Sequence, residues 1–120
     1  MNRLLVFGAV LGFISVIMGA LGDHALDLSP EKTKGFDTAI RYNMLYAVLI
    51  TAFALSQQKA LILPGVIFAF SGALFSFSIY ASVFTGISVL TYLTPIGGLG
   101  LMAGWISLFI CALRTKDSRA

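Results

Sequence analysis

An all-α integral membrane bundle of four spanning helices is the fold class this sequence predicts, and three observations predict it. Four long apolar runs use up nearly all of the 120 residues. Hydrophobic residues make up 58% of the chain and charged residues 11%. The mean hydropathy of +0.95 is far from the balance of a soluble domain, which could not cover its surface with so few charges. A hydrocarbon core of ~30 Å takes about 20 apolar residues of helix, and each run meets or approaches that length. A chain of this size makes one domain, with spans at about 4–22, 38–57, 64–84 and 95–114.

The first run, Leu4–Gly22, holds no charge. Arg3 before it and Ala20-Leu21-Gly22 at its end suggest a secretory signal, but the run outlasts the ~7–15 apolar residues of such a signal, so a retained helix is expected. In the loop that follows, Ser29-Pro30-Glu31 reads as an N-cap, a proline at the first helical position and an acid in the first turn. Gly35 is expected to close that short helix a turn later. Asp37 or Thr38 then caps the second span, whose one charge is Arg41. Pro64 suits the start of the third span, just after the Lys59 loop, and Thr85-Gly86 ends it. Thr94-Pro95 reads as a cap and first-position proline for the fourth, leaving Ile87–Leu93 as an interfacial segment. The alternative is a single fourth helix from Ser88, kinked at Pro95.

Orientation follows from the cations. With four spans, Arg3, Lys59, Arg114, Lys116 and Arg119 share one side, and Lys32, Lys34 and Arg41 the other. The positive-inside rule then puts both termini in the cytoplasm and the chain in the bacterial inner membrane as a multi-pass protein. Asp23, Asp27, Glu31 and Asp37 fall outside.

Two stripes of small residues carry the packing signal. Gly8, Gly12, Ser15, Gly19 and Gly22 recur along the first span; Gly97, Gly100, Gly104, Ser107 and Cys111 recur along the fourth. Both repeat at a mean of ~3.5 residues, which keeps them on one seam. Lipid offers no hydrophobic drive for helices to associate, and close backbone approach through small residues substitutes for it. The first and fourth helices are therefore expected to pack antiparallel, on each other or across a dimer.

The polar residues available for chemistry are few. Asp23 and His24 end the first span, Arg41 and Tyr42 lie about a turn into the second, Tyr80 lies a turn before the end of the third, and Thr94 begins the fourth. The predicted topology sets all six at similar depth on the outer side, as a possible polar or ligand site. An Arg within a span is costly, which calls for a partner such as Asp23 or for snorkelling to the head groups. His24 can simply cap helix carbonyls, Tyr92 fits an aromatic belt, and Trp105 is deep enough to pack.

Several chemistries drop out. The single His and single Cys fall on opposite sides, so no His/Cys metal site forms within one chain, and no intrachain disulfide exists. No phosphate loop or serine nucleophile with a matching base appears, no cofactor is implied, and eight scattered Lys and Arg make no nucleic-acid patch. No acid lies within an apolar run, so the carboxylate that a proton-coupled exporter titrates inside a span is missing.

At Gly19-Ala20-Leu21-Gly22-Asp23-His24-Ala25-Leu26, Thr38-Ala39-Ile40-Arg41-Tyr42-Asn43-Met44, Phe75-Ser76-Phe77-Ser78-Ile79-Tyr80, Thr94-Pro95-Ile96-Gly97-Gly98 and Gly104-Trp105 the chain resembles the YgdD/YwdK-like group of small four-span bacterial membrane proteins of uncharacterised function. The resemblance runs through almost the whole chain in order. It departs from the group's pattern at Asp23 (usually Ala), Phe77 (usually Gly) and Tyr46 (usually His), so a group-wide role of a histidine at position 46 does not carry over. The resemblance implies location and topology but no activity.

Three function classes remain. One is a scaffold or accessory subunit that meets another membrane protein through the glycine stripes. The second is a small homo-oligomeric transporter, channel or lipid- and anion-binding protein, with Arg41 and the helix start at Thr94 holding the anion. The third, an enzyme using Asp23 and His24, lacks a nucleophile or metal. The lipid bilayer is the common partner in all three, and the first class is preferred.

Overall fold

A computed structural model describes residues 1–115, and these form four long helices: α1 (Arg3–His24), α2 (Pro30–Ser56), α3 (Ile62–Thr85) and α4 (Thr94–Arg114). Short 3₁₀ turns at Lys59–Leu61 and Ser88–Leu93 lead into α3 and α4. All four helices are long and apolar enough to cross a membrane. Lys116 and Arg119, used above for orientation, lie outside the described residues.

Local chemistry sets most helix ends. Asn2 caps α1, its Oδ1 accepting from the Leu5 amide at 3.1 Å, while its Nδ2 donates to the Ala54 carbonyl at 3.2 Å and ties the start of α1 to the end of α2. Ser29 caps α2, its hydroxyl accepting from the Lys32 amide, with Pro30 in the first turn. The helix does not stop at Gly35 and restart at Asp37 or Thr38. One glycine costs a helix interior only about 1 kcal/mol, and Phe36 and Ala39 on either side of the next turn are buried in the core. The 27-residue α2 is therefore about 40 Å long at 1.5 Å per residue, and its charged first turns stand clear of the hydrocarbon. Gln57 ends α2 at φ 58° and Gly86 ends α3 at φ 74°, both left-handed. At the fourth span neither sequence alternative holds in full. The 3₁₀ turn over Ser88–Leu93 runs directly into an α-helix that begins at Thr94, with Pro95 in its first turn.

The helices lie within 53 × 25 × 23 Å. Each packs mainly on its neighbour in sequence: α1 on α2, α2 on α3, α3 on α4. The pair α2 and α3 forms the centre, with α1 and α4 as flanks. The expectation that α1 and α4 pack on each other is thus corrected within the chain; among the described residues they share no extensive interface. Their small residues instead receive the central pair. Gly8 and Gly12 lie against Ala47 and Thr51 of α2, and Gly22 lies under the Phe36 ring. Gly97 meets the backbone of Phe75, Gly100 the side chain of Ser71, and Gly104 the ring of Phe68, all on α3. Ser15 is buried with its hydroxyl on the Gly12 carbonyl, and Cys111 donates to the Ala60 carbonyl. Gly19 meets no neighbour. Where the neighbour is in the same chain, the seam closes the fold rather than an assembly.

The core has two parts. Leu11, Tyr46, Ala47, Ile50, Phe68, Ala69 and Leu101 fill the middle, and Phe36, Ala39 and Tyr80 fill the end where α2 begins.

Candidate functional site

The six polar residues singled out in the sequence divide into two sets. Asp23, His24 and Arg41 are exposed. Among the described residues no ion pair joins Arg41 to Asp23 within 4.0 Å; by helical register Arg41 shares a face with Asp37, one turn earlier on α2. The other three turn inward. Tyr42 is half-buried and stacks on Phe75, ring centroids 4.8 Å apart. Tyr80 is buried, and its hydroxyl accepts from Asn43 Nδ2 at 2.9 Å. Thr94 bonds hydroxyl to hydroxyl with Ser78. Among the described residues no hydrogen bond links any two of the six.

The inward set belongs to a layer of interhelical polar contacts. Asn43 on α2 is 2% exposed and reaches Tyr80 on α3. Ser76 on α3 donates to the Ala39 carbonyl of α2 at 2.9 Å. Ser78 on α3 meets Thr94 on α4. Each contact joins neighbouring helices where water cannot compete for the donor. The Asn43 Oδ1 atom is buried and accepts no hydrogen bond. Deeper in, Trp105 Nε1 donates to the Tyr46 hydroxyl at 2.9 Å, and the Tyr46 ring stacks on Phe68 at 5.2 Å. Trp105 thus packs through its indole, although nearly half of it is exposed on the bundle surface. Asn43, Ser76 and Ser78 stand in the motifs quoted for the family resemblance and as polar residues inside apolar spans, signals that give no partner.

The opposite end of the bundle holds a concavity between three helices. A groove of about 550 Å³ lies among the start of α1, the end of α2 and the start of α3. Ala54 and Ala69 lie low in it, Leu4, Phe7, Phe53, Val66 and Phe70 add apolar walls, and Asn2, Arg3, Gln57 and Gln58 rim one end. A second groove, about 520 Å³, runs between α3 and the Leu90–Leu93 turn, and Ser78 is its one polar lining residue.

Four apolar helices held together by small residues and a few interhelical hydrogen bonds define a small multi-pass membrane protein. The chain belongs to the family described as "Protein of unknown function (DUF423)", which it matches over residues 18–98. It is 30% identical to the inner membrane protein YgdD of Escherichia coli K12, across 94% of this chain and 91% of that protein. A membrane protein of Haemophilus influenzae is 33% identical, across 97% and 98%, and the membrane protein YwdK of Bacillus subtilis is 31% identical, across 95% and 98%. No solved structure matches the chain. Four candidate spans and inner-membrane relatives place the protein in the inner membrane.

Proposed function

We propose that this protein is a non-enzymatic accessory subunit of the inner membrane, with both termini in the cytoplasm, that acts through lateral contacts of its flanking helices. One observation carries the reading: α1 and α4 stand on opposite flanks of a closed central pair, with Gly8, Gly12 and Gly22 of α1 and Gly97, Gly100 and Gly104 of α4 turned inward. Each flank then presents large apolar side chains outward, Val6, Phe13 and Val16 on α1 and Leu99, Met102 and Ile106 on α4. Asn43, Ser76, Ser78, Tyr80 and Thr94 spend hydrogen bonds between neighbouring helices, which draws these polar side chains into helix packing rather than into a solute path through a single chain. The lateral surface of the reading is therefore the bulky apolar face, and the glycine seams serve to shape it.

Photo-crosslinking amino acids at Phe13 and at Ile106, in living cells, test this. A discrete adduct with one other membrane protein, formed from one flank and absent from the other, is the expected outcome. Adducts with lipid alone at both positions overturn the reading, and an adduct of twice the chain mass replaces it with a homo-oligomer.

A further inference from the structure

We infer that the groove at the Arg3 end is a binding site for one anionic glycerophospholipid, an acyl chain lying in the groove and the phosphate at Arg3. The groove is shaped by sequence. Ala54 of α2 and Ala69 of α3 are small and buried where the helices meet, and Gly65 lets Leu4 approach α3. The larger Phe7, Val66 and Phe70 stand up around this low ground. Its volume, about 550 Å³, falls within the ~300–1,000 Å³ of small-molecule sites.

Polarity changes along the groove as it does along a phospholipid. The walls are apolar, and the polar lining residues gather at one end, where Arg3, Gln57 and Gln58 are all exposed. The acids are segregated over the whole bundle. Arg3, Lys59 and Arg114 lie at this end, whereas among the described residues every acid, Asp23, Asp27, Glu31 and Asp37, lies toward the other end, at the close of α1, in the loop after it or in the first turns of α2, together with Lys32, Lys34 and Arg41. Among the described residues Arg3 makes no ion pair within 4.0 Å. A guanidinium offers planar paired donors to a phosphate, and Gln57 and Gln58 add amide donors beside it. The second groove, of like size, supplies the contrast. Its lining holds no charged residue, so it gives an acyl chain room without selecting a head group.

Native mass spectrometry of the full chain, released from nanodiscs of equal phosphatidylglycerol and phosphatidylcholine, tests the assignment. Wild type is expected to retain one lipid per chain, chiefly phosphatidylglycerol. Arg3→Gln, an exposed change that leaves the packing alone, should lower the ratio of anionic to zwitterionic lipid about fivefold, the weight of one basic group at a membrane surface. Val66→Trp, which fills the groove, should abolish retention, while Ala81→Trp in the second groove should keep it. Equal retention of the two lipids by wild type overturns the inference, as does loss of lipid from Ala81→Trp equal to that from Val66→Trp. The outcome does not depend on any lateral protein partner, so the inference and the accessory-subunit reading fail separately.

Discussion

At the end of the bundle where α2 begins, the Phe36 and Tyr80 rings pack 5.5 Å apart, Asn43 and Ser76 bond across to the neighbouring helix, and Gly97 brings α4 onto the backbone of α3. At the other end the same helices diverge around a groove floored by alanines and rimmed by Arg3, Gln57 and Gln58. The difference teaches where polarity is spent. One end uses its polar groups between helices and leaves its charges to the water. The other, apart from the Asn2–Ala54 tie, keeps its interior apolar and leaves Arg3, Gln57 and Gln58 exposed at the rim of the groove. Residues that share a depth need not share a role, because depth is set by helix register and role by the face on which a side chain emerges.

The largest expected effect comes from adding a methyl group at each end. On Gly97 it would lie 2.6 Å from the Phe75 nitrogen and 2.8 Å from its Cα. Backbone cannot yield, so α4 must move off α3, and Gly97→Ala should cost about 1–3 kcal/mol. On Gly65 the methyl would meet the tip of Leu4 at 2.8 Å, and Leu4 borders open space, so Gly65→Ala should cost less than half as much. Unfolding by detergent titration in mixed micelles reads both, and equal losses would erase the distinction between closed and open ends. Next in size is the Asn43–Tyr80 bond. Tyr80→Phe should cost roughly 0.6–1.7 kcal/mol, the range of interhelical hydrogen bonds in membranes. A double-mutant cycle with Asn43→Leu should return a coupling of that order; zero coupling would mean that the rings alone close this end.

Smaller again is the tie at the open end. Asn2→Ala removes a helix cap and the bond to Ala54, and should cost about 0.5–1 kcal/mol. The loss should show as faster amide exchange confined to the first turn of α1, and exchange rising throughout α1 would make Asn2 part of the core fold. The smallest effect is predicted for the exposed charges: Arg41→Ala and Asp23→Ala should each stay within about ±0.5 kcal/mol. A larger loss from Asp23→Ala that disappears in the Arg41→Ala background would restore the pairing that the structure does not form.

Much of this was legible in the sequence, and the reasons are local. The run Leu4–Gly22 announces a span because length and hydropathy are properties of a segment alone, and Ser29-Pro30 and Gly86 mark helix ends because capping and left-handed φ are decided within a turn. Gly35 misled for the complementary reason. Its weak preference against helix was overridden by burial of Phe36 and Ala39, which only the neighbouring helices supply. The polar cluster was grouped by helix register, but register did not reveal that Tyr80 and Thr94 point to Asn43 and Ser78 while Arg41 is exposed. The groove had no signature at all, since Ala54, Ala69, Arg3 and Gln57 come from three helices and no short pattern joins them.

The sequence by itself determined that this chain is a four-span membrane protein, because the bilayer reads hydrophobicity one segment at a time and each segment satisfies its own backbone within a helix. Which helices touch was decided only in the tertiary structure. The stripes on α1 and α4 say that something must come close, but identical glycines can receive any partner. The choice of α2 and α3 as the central pair rests on side chains such as Phe36, Ala47, Phe68 and Phe75 fitting those seams from across the fold, a complementarity that exists only once the helices are side by side.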